Sequence, residues 1–151
     1  MSSVSFKTNS AKETQKIAKI LAGELIKVCL QKHALILALS GDLGSGKTTF
    51  VQGFARGLGI RSKIQSPTFL IMRIYKLPAK SYKLFAHIDA YRLKRPKDIL
   101  VLGWKELVKN PKNIIVVEWA RHIAKILPKD HFDINFQHIS ENKRRIEFGN
   151  K

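Results

Sequence analysis

Lys47 and Thr48 close an octapeptide, Gly41-Asp42-Leu43-Gly44-Ser45-Gly46-Lys47-Thr48, that fills every fixed position of the pattern GxxxxGK[S/T]. Residues of these types at this spacing suit one task, the holding of a polyphosphate. The glycines lack a Cβ, so the backbone can curl with its N–H groups pointing at an anion. Lys47 would bring an ammonium to the outer phosphates, and the Thr48 hydroxyl would hold a magnesium ion. Two carboxylates are candidates to complete such a site. Asp89 ends the run Leu84-Phe85-Ala86-His87-Ile88, and Glu118 ends Ile114-Ile115-Val116-Val117. In open α/β sheets ligands bind beyond the carboxyl ends of the strands, where a phosphate loop also lies. An acid there can hold magnesium or position an attacking water; the competing reading is that it caps a following helix. Thr68, in the turn Ser66-Pro67-Thr68-Phe69, occupies the place where nucleotide switches sense a γ-phosphate. A proline-initiated turn entering a strand accounts equally well for that spacing.

These residues need a strand before the loop and a helix after it. Ala34 to Leu39 is an uninterrupted apolar run, expected for a strand covered on both faces. Phe50, Val51, Phe54, Ala55 and Leu58 recur at helical spacing, with Gly57 and Gly59 as the stop. A helix N-terminus carries only about half a positive charge, too little for a triphosphate without Lys47 and a metal. Further upstream, Ser10-Ala11-Lys12-Glu13 reads as a capping box for a helix running toward Gln31, with Ile17, Ile20, Leu21, Leu25 and Val28 on its buried stripe. Downstream, Phe69 to Tyr75 and Tyr82 to Ile88 read as strands separated by a turn at Pro78. Pro96 to Leu102 reads as a short helix ended by Gly103, and Ile123 to Leu127 as a short element stopped by Pro128. His131 to Phe136 and Arg144 to Phe148 read as a hairpin-like pair around Glu141-Asn142. The expected fold is α/β and P-loop NTPase-like, a mostly parallel central sheet flanked by helices with antiparallel additions.

A length of 151 residues suits one domain over 1–151 with an ordinary core. The hydrophobic content of 44% argues for a globular chain. One cysteine, Cys29, excludes an internal disulfide and suits a reducing compartment. Met1 to Thr8 holds no long apolar segment after its lysine, so no secretory signal is expected, and with no run of roughly 20 apolar residues the chain is expected in the cytoplasm, away from membranes. With 28 Lys and Arg against 11 Asp and Glu, the net charge is +17. Such a field attracts polyanions, nucleic acid among them. The scatter of the lysines suits an ordinary solvated surface as well.

GDLGSGKTTF, SPTF, His87-Ile88-Asp89-Ala90-Tyr91-Arg92-Leu93 and Val117-Glu118-Trp119 occur in this order and bracket most of the chain. Together they resemble the bacterial TsaE (YjeE) family. The resemblance implies a small P-loop ATPase that binds ATP and magnesium. It also implies partner proteins of the threonylcarbamoyl-transferase complex (TsaB/TsaD type) and installation of threonylcarbamoyl on adenosine 37 of tRNAs reading ANN codons. tRNA would be met directly or through the complex. The family pattern assigns Asp42, Gly44, Ser45, Gly46, Lys47, Thr48 and Thr49 to the phosphates, with Ser10 on the adenine side and Trp119 beside the nucleotide. It assigns magnesium to Thr48, Glu118 and Asp89, and hydrolysis to Lys47, Asp89, Glu118 and Thr68. Trp119 could equally be a core side chain, and His87 reads as a structural histidine. Ala120-Arg121-His122 departs from the pattern at the rim of the site.

Two other readings share the loop. One is a small-molecule kinase with Arg92 and Arg95 as phosphate clamps. The other is a nonenzymatic, ATP-responsive tRNA-binding module, motivated by the charge. GTP is disfavoured because Asn142-Lys143-Arg144-Arg145 lacks the aspartate of a guanine-reading motif.

Overall fold

A computed structural model describes residues 3–27, 32–67, 70–78 and 81–150. Thr68, Phe69, Val28, Cys29 and Gln31 lie outside the described residues, and so do the expectations placed on them. Seven strands form one sheet in the order β1-β7-β6-β2-β5-β4-β3. They are β1 Val4–Thr8, β2 Leu35–Ser40, β3 Met72–Lys76, β4 Leu84–Asp89, β5 Asn113–Glu118, β6 Phe132–His138 and β7 Arg144–Asn150. β2 pairs parallel with β5 and β6, and β4 pairs parallel with β5. The antiparallel additions lie at the edges, where β3 joins β4, β7 joins β6 and β1 joins β7. Among the described residues no helix is long and apolar enough to cross a membrane.

The central strands read as continuous apolar runs because both faces are covered. Leu35, Leu37 and Leu39 of β2 point to one side, with Phe85, Ile114, Val116, Phe136 and Ile146. That side is packed by α1 (Ala11–Leu25) and α2 (Lys47–Gly57). Ile36, Ala38, Ala86, Ile88, Ile115 and Val117 point to the other side. There they meet the 3₁₀ turns Pro96–Leu102 and Ala120–Ile126 and α3 (Trp104–Lys109). By the same alternation His87, Asp89 and Glu118 share the face of α2. Phe50 anchors α2 on the sheet, edge-on to Phe136 at 5.3 Å.

The buried stripe of α1 differs from the expected one. Thr14, Ala18, Ala22 and Leu25 are buried, whereas Ile17 and Leu21 are half-buried and Ile20 is 58% exposed. Close approach of α2 sets this stripe: a Cβ on Gly53 would overlap the Gln15 carbonyl, and one on Gly57 would stand 2.6 Å from the Lys19 oxygen. Only small side chains fit such a seam. Three further differences are local. β1 and α3 are too short and too weakly periodic to stand out in the sequence. The short helix over Pro96–Leu102 is 3₁₀, and the short element read over 123–127 belongs to a 3₁₀ segment, Ala120–Ile126. The capping box is offset, because Ser10 accepts from Glu13 N at 3.1 Å while the Glu13 carboxylate takes Asn9 N at 2.6 Å.

The seam gives a paired test. Gly53→Ala should destabilise the protein by about 1–3 kcal/mol in urea unfolding, since overpacking outweighs the helical propensity gained. Gly23, in α1, has open space where a methyl would stand, with nothing within 4 Å. Gly23→Ala should therefore gain about 0.5–1 kcal/mol in the same measurement.

Candidate nucleotide site

Residues 41–46 join the end of β2 to the start of α2, with Gly46 at the helix N-cap in the left-handed region (φ 102°). Gly41 sits so close to β6 that a Cβ would stand 2.6 Å from the Phe136 carbonyl oxygen. Lys47 is buried, and its ammonium donates to the Gly41 carbonyl at 2.6 Å and the Asp42 carbonyl at 2.9 Å. Ser45, also buried, places its Oγ 3.4 Å from the same nitrogen. The ammonium thus points back into its own loop. Its pKa is lowered from the ordinary 10.5, chiefly by burial, while Glu118, Asp89 and Asp42 oppose the shift.

Glu118 and Asp89 are register partners at the ends of β5 and β4, and both are buried. Thr48 Oγ1 donates to Glu118 Oε1 at 2.9 Å, and His87 Nε2 lies 2.6 Å from Glu118 Oε2. His87 Nδ1 is buried with no hydrogen-bond partner among the described residues. The hydrogen therefore belongs on Nε2, donated to the carboxylate. His87 orients Glu118, a connection that its reading as a structural histidine left out. Neither oxygen of Glu118 caps a helix. Asp89 does both kinds of work: Oδ1 accepts from Tyr91 N at 3.0 Å in a local turn, while Oδ2 faces Ser66 Oγ at 3.4 Å.

Trp119 packs on the margin of the core cluster that holds Ile115 and Val117. It is half-buried with φ 57°, a left-handed conformation uncommon for any residue but glycine. Its ring lies 4.3 Å from Lys47 Nζ and packs on Tyr91 at 4.9 Å. A pocket of about 410 Å³ gathers Gly44, Gly46, Lys47, Thr48 and Thr49 with Asp89, Glu118, Trp119 and Ser10. Asp42 and Ser45 support the loop from behind, outside that lining. The tip of the β6–β7 hairpin closes the same pocket through Glu141, Asn142 and Arg144. Sequence reasoning assigned these three no role; a polar hairpin tip at the far end of the chain was their one signal. The Arg144 side chain runs over Gly46 and donates to the Ser140 carbonyl at 2.7 Å. A larger concavity of about 1110 Å³ lies behind the loop near Arg121 and His131, but it lacks Lys47, Thr48 and both acids.

The family model for the threonylcarbamoyl adenosine biosynthesis protein TsaE matches residues 8–146. The chain belongs to the TsaE family. It is 34% identical over 151 residues to the tRNA threonylcarbamoyladenosine biosynthesis protein TsaE of Bacillus subtilis, covering 98% of this chain and 86% of that one. It is 37% identical over 138 residues to the TsaE of Rickettsia conorii, covering 90% and 72%. The crystal structure of Bacillus subtilis YdiB superposes with a TM-score of 0.75 at 31% identity, over 97% of this chain and 84% of that one. The family span runs from the last residue of β1 into β7, so it encloses the whole pocket from Ser10 to Arg144.

Two measurements probe this geometry. His87→Ala should cost about 2–4 kcal/mol in urea unfolding, because a buried carboxylate loses a donor and the core a ring; His87→Gln, whose amide can still donate, should recover part of it. The second concerns Lys47. A lowered folded-state pKa means that the unfolded chain binds more protons between that pKa and 10.5. Stability there should rise with pH, by at most about 1.4 kcal/mol per unit, and the slope should be smaller in Lys47→Met when unfolding is compared at pH values just below 10.5.

Proposed function

We propose that this TsaE family member is a magnesium-dependent ATPase of the tRNA threonylcarbamoyladenosine system, acting with TsaB- and TsaD-type partners. One observation carries the reading: two buried, in-register carboxylates and the Thr48 hydroxyl converge on a phosphate loop whose lysine lies within the same pocket. The donor set fits magnesium, a hard cation that takes oxygen ligands. Thr48 and Glu118 would hold the ion, with Asp89 beside them. When bound, magnesium would neutralise charge developing on the β- and γ-phosphates.

The remaining chemistry falls to the chain's own groups. Lys47 exchanges the Gly41 and Asp42 carbonyls for phosphate oxygens, a swap favoured because a phosphate relieves the burial of its charge. The amides of residues 44–49, at a helix N-terminus, bind the phosphates. Trp119 and Arg144 border the pocket. Asp89 would orient the attacking water, and the role of γ-phosphate sensor would fall to Thr68, which lies outside the described residues. Ser10, at the start of α1, lies on the base side. Slow intrinsic turnover that partners accelerate follows from the family reading.

The kinase reading finds less support, since Arg95 is held by Asp98 at 3.2 Å and neither Arg92 nor Arg95 lines the pocket. Phosphate release measured with the partner proteins and tRNA should fall at least about 100-fold in Lys47→Ala. Glu118→Gln should lose turnover while keeping measurable ATP binding, and Asp89→Asn should do the same. Stimulation that persists in Lys47→Ala, or label passing from ATP to a small acceptor rather than to water, would refute the assignment.

A further inference from the structure

The seam between α1 and α2 opens outward into a groove of about 530 Å³ on the flank of the nucleotide pocket. Five cations line it, Lys12, Lys16 and Lys19 from α1, Arg56 from α2, and Lys63 from the segment beyond. Among the described residues no acid does. All five cations are exposed, and among the described residues none is held in an ion pair or a side-chain hydrogen bond. Like charges four residues apart on a helix repel, so Lys12 and Lys16 stand together without a counter-charge.

The spacing suits a polymer of phosphates. At about 1.5 Å per residue, Lys12 to Lys19 covers roughly 10 Å along the helix. Four successive phosphates of one strand, about 3.4 Å apart along a duplex axis, span the same length. The floor is polar: Gln15 Nε2 donates to Gln52 Oε1 at 3.1 Å, and Gln52 Nε2 donates to the Ile64 carbonyl at 3.3 Å. Ile64 itself is 4% exposed, so the groove offers no apolar anchor of the kind that dominates protein–protein interfaces. Charged walls over an amide floor instead match the polar, wet character of nucleic-acid interfaces. The groove also shares its helices with the nucleotide pocket: Ser10 and Thr14 lie two residues before Lys12 and Lys16, and Thr49 three before Gln52.

We infer that the α1/α2 groove binds the phosphodiester backbone of RNA, with the three lysines on one wall and Arg56 and Lys63 on the other. The choice of RNA rests on the proposed tRNA-modification role, whereas the cationic groove does not. Binding of an unmodified tRNA transcript, followed by fluorescence anisotropy across a salt series without nucleotide, tests it. The triple variant Lys16→Glu/Lys19→Glu/Arg56→Glu is compared with Lys105→Glu/Lys109→Glu/Lys112→Glu, an equal change of net charge on the opposite side of the sheet. The groove variant should bind at least tenfold more weakly and lose about two units of salt slope, with its melting temperature and ATP affinity kept. The control should bind as wild type. Equal weakening in both variants would assign binding to the +17 field alone and overturn the inference, as would no weakening in either. Displacement of the tRNA by polyglutamate as readily as by a second RNA would overturn it too, marking the groove as a seat for acidic protein. Because ATP binding is read on the same variants, failure of the groove is distinguishable from failure of the ATPase reading.

Discussion

Parallel pairing of β2, β5 and β4 is the constraint on which the site depends. It brings the carboxyl ends of three strands to one edge of the sheet, so that Leu39, Glu118 and Asp89 stand side by side in register. The loop leaves β2 at that edge, and α2 returns over the face to which Glu118 and Asp89 point. A one-residue slip of β5 would turn Glu118 to the opposite face, away from Thr48. Burial of β2 and β5 on both sides opposes such a slip, because every residue from Leu35 to Leu39 and from Asn113 to Glu118 is buried and would have to be repacked.

Inside that frame the polar groups are few and tied to one another. Thr48, Glu118 and His87 form one chain of hydrogen bonds that links the first turn of α2 to two strands. Phe85 stacks beside His87 at 6.4 Å and Phe54 lies 6.0 Å from Phe85, so the chain is set in an aromatic layer that keeps its low dielectric. Low dielectric strengthens each of these bonds and raises the penalty for breaking one. Lys47 answers to the same environment. Its charge is tolerated through loop carbonyls, nearby carboxylates and the Trp119 ring.

The seam between α1 and α2 links this site to the outer surface. Glycines on α2 and alanines on α1 let the two backbones approach closely, which leaves long side chains only at the margins. Cations occupy the outer margin, and the site occupies the end. A single packing decision therefore shapes both the pocket wall and the charged groove beside it.

Much of this was legible in the chain. The octapeptide and its flanking strand and helix are local patterns, and steric rules for glycine and apolar periodicity carry them directly into structure. Asp89 and Glu118 were legible because scarce acids ended apolar runs, and strand ends are where such sheets meet ligands. Other features belonged to tertiary contacts. The stripe of α1 followed the approach of α2 rather than the largest apolar residues, His87 gained its role from a neighbour 31 positions away, and Arg144 entered the pocket because β7 folds back beside β6. Sequence by itself determined the glycine loop, its flanking strand and helix, and the two acids that end apolar runs, since those depend on residue type and local spacing. Which partners complete the pocket was decided only in the folded chain, because hydrogen bonds and close helix contacts act over distances in space that sequence separation does not encode.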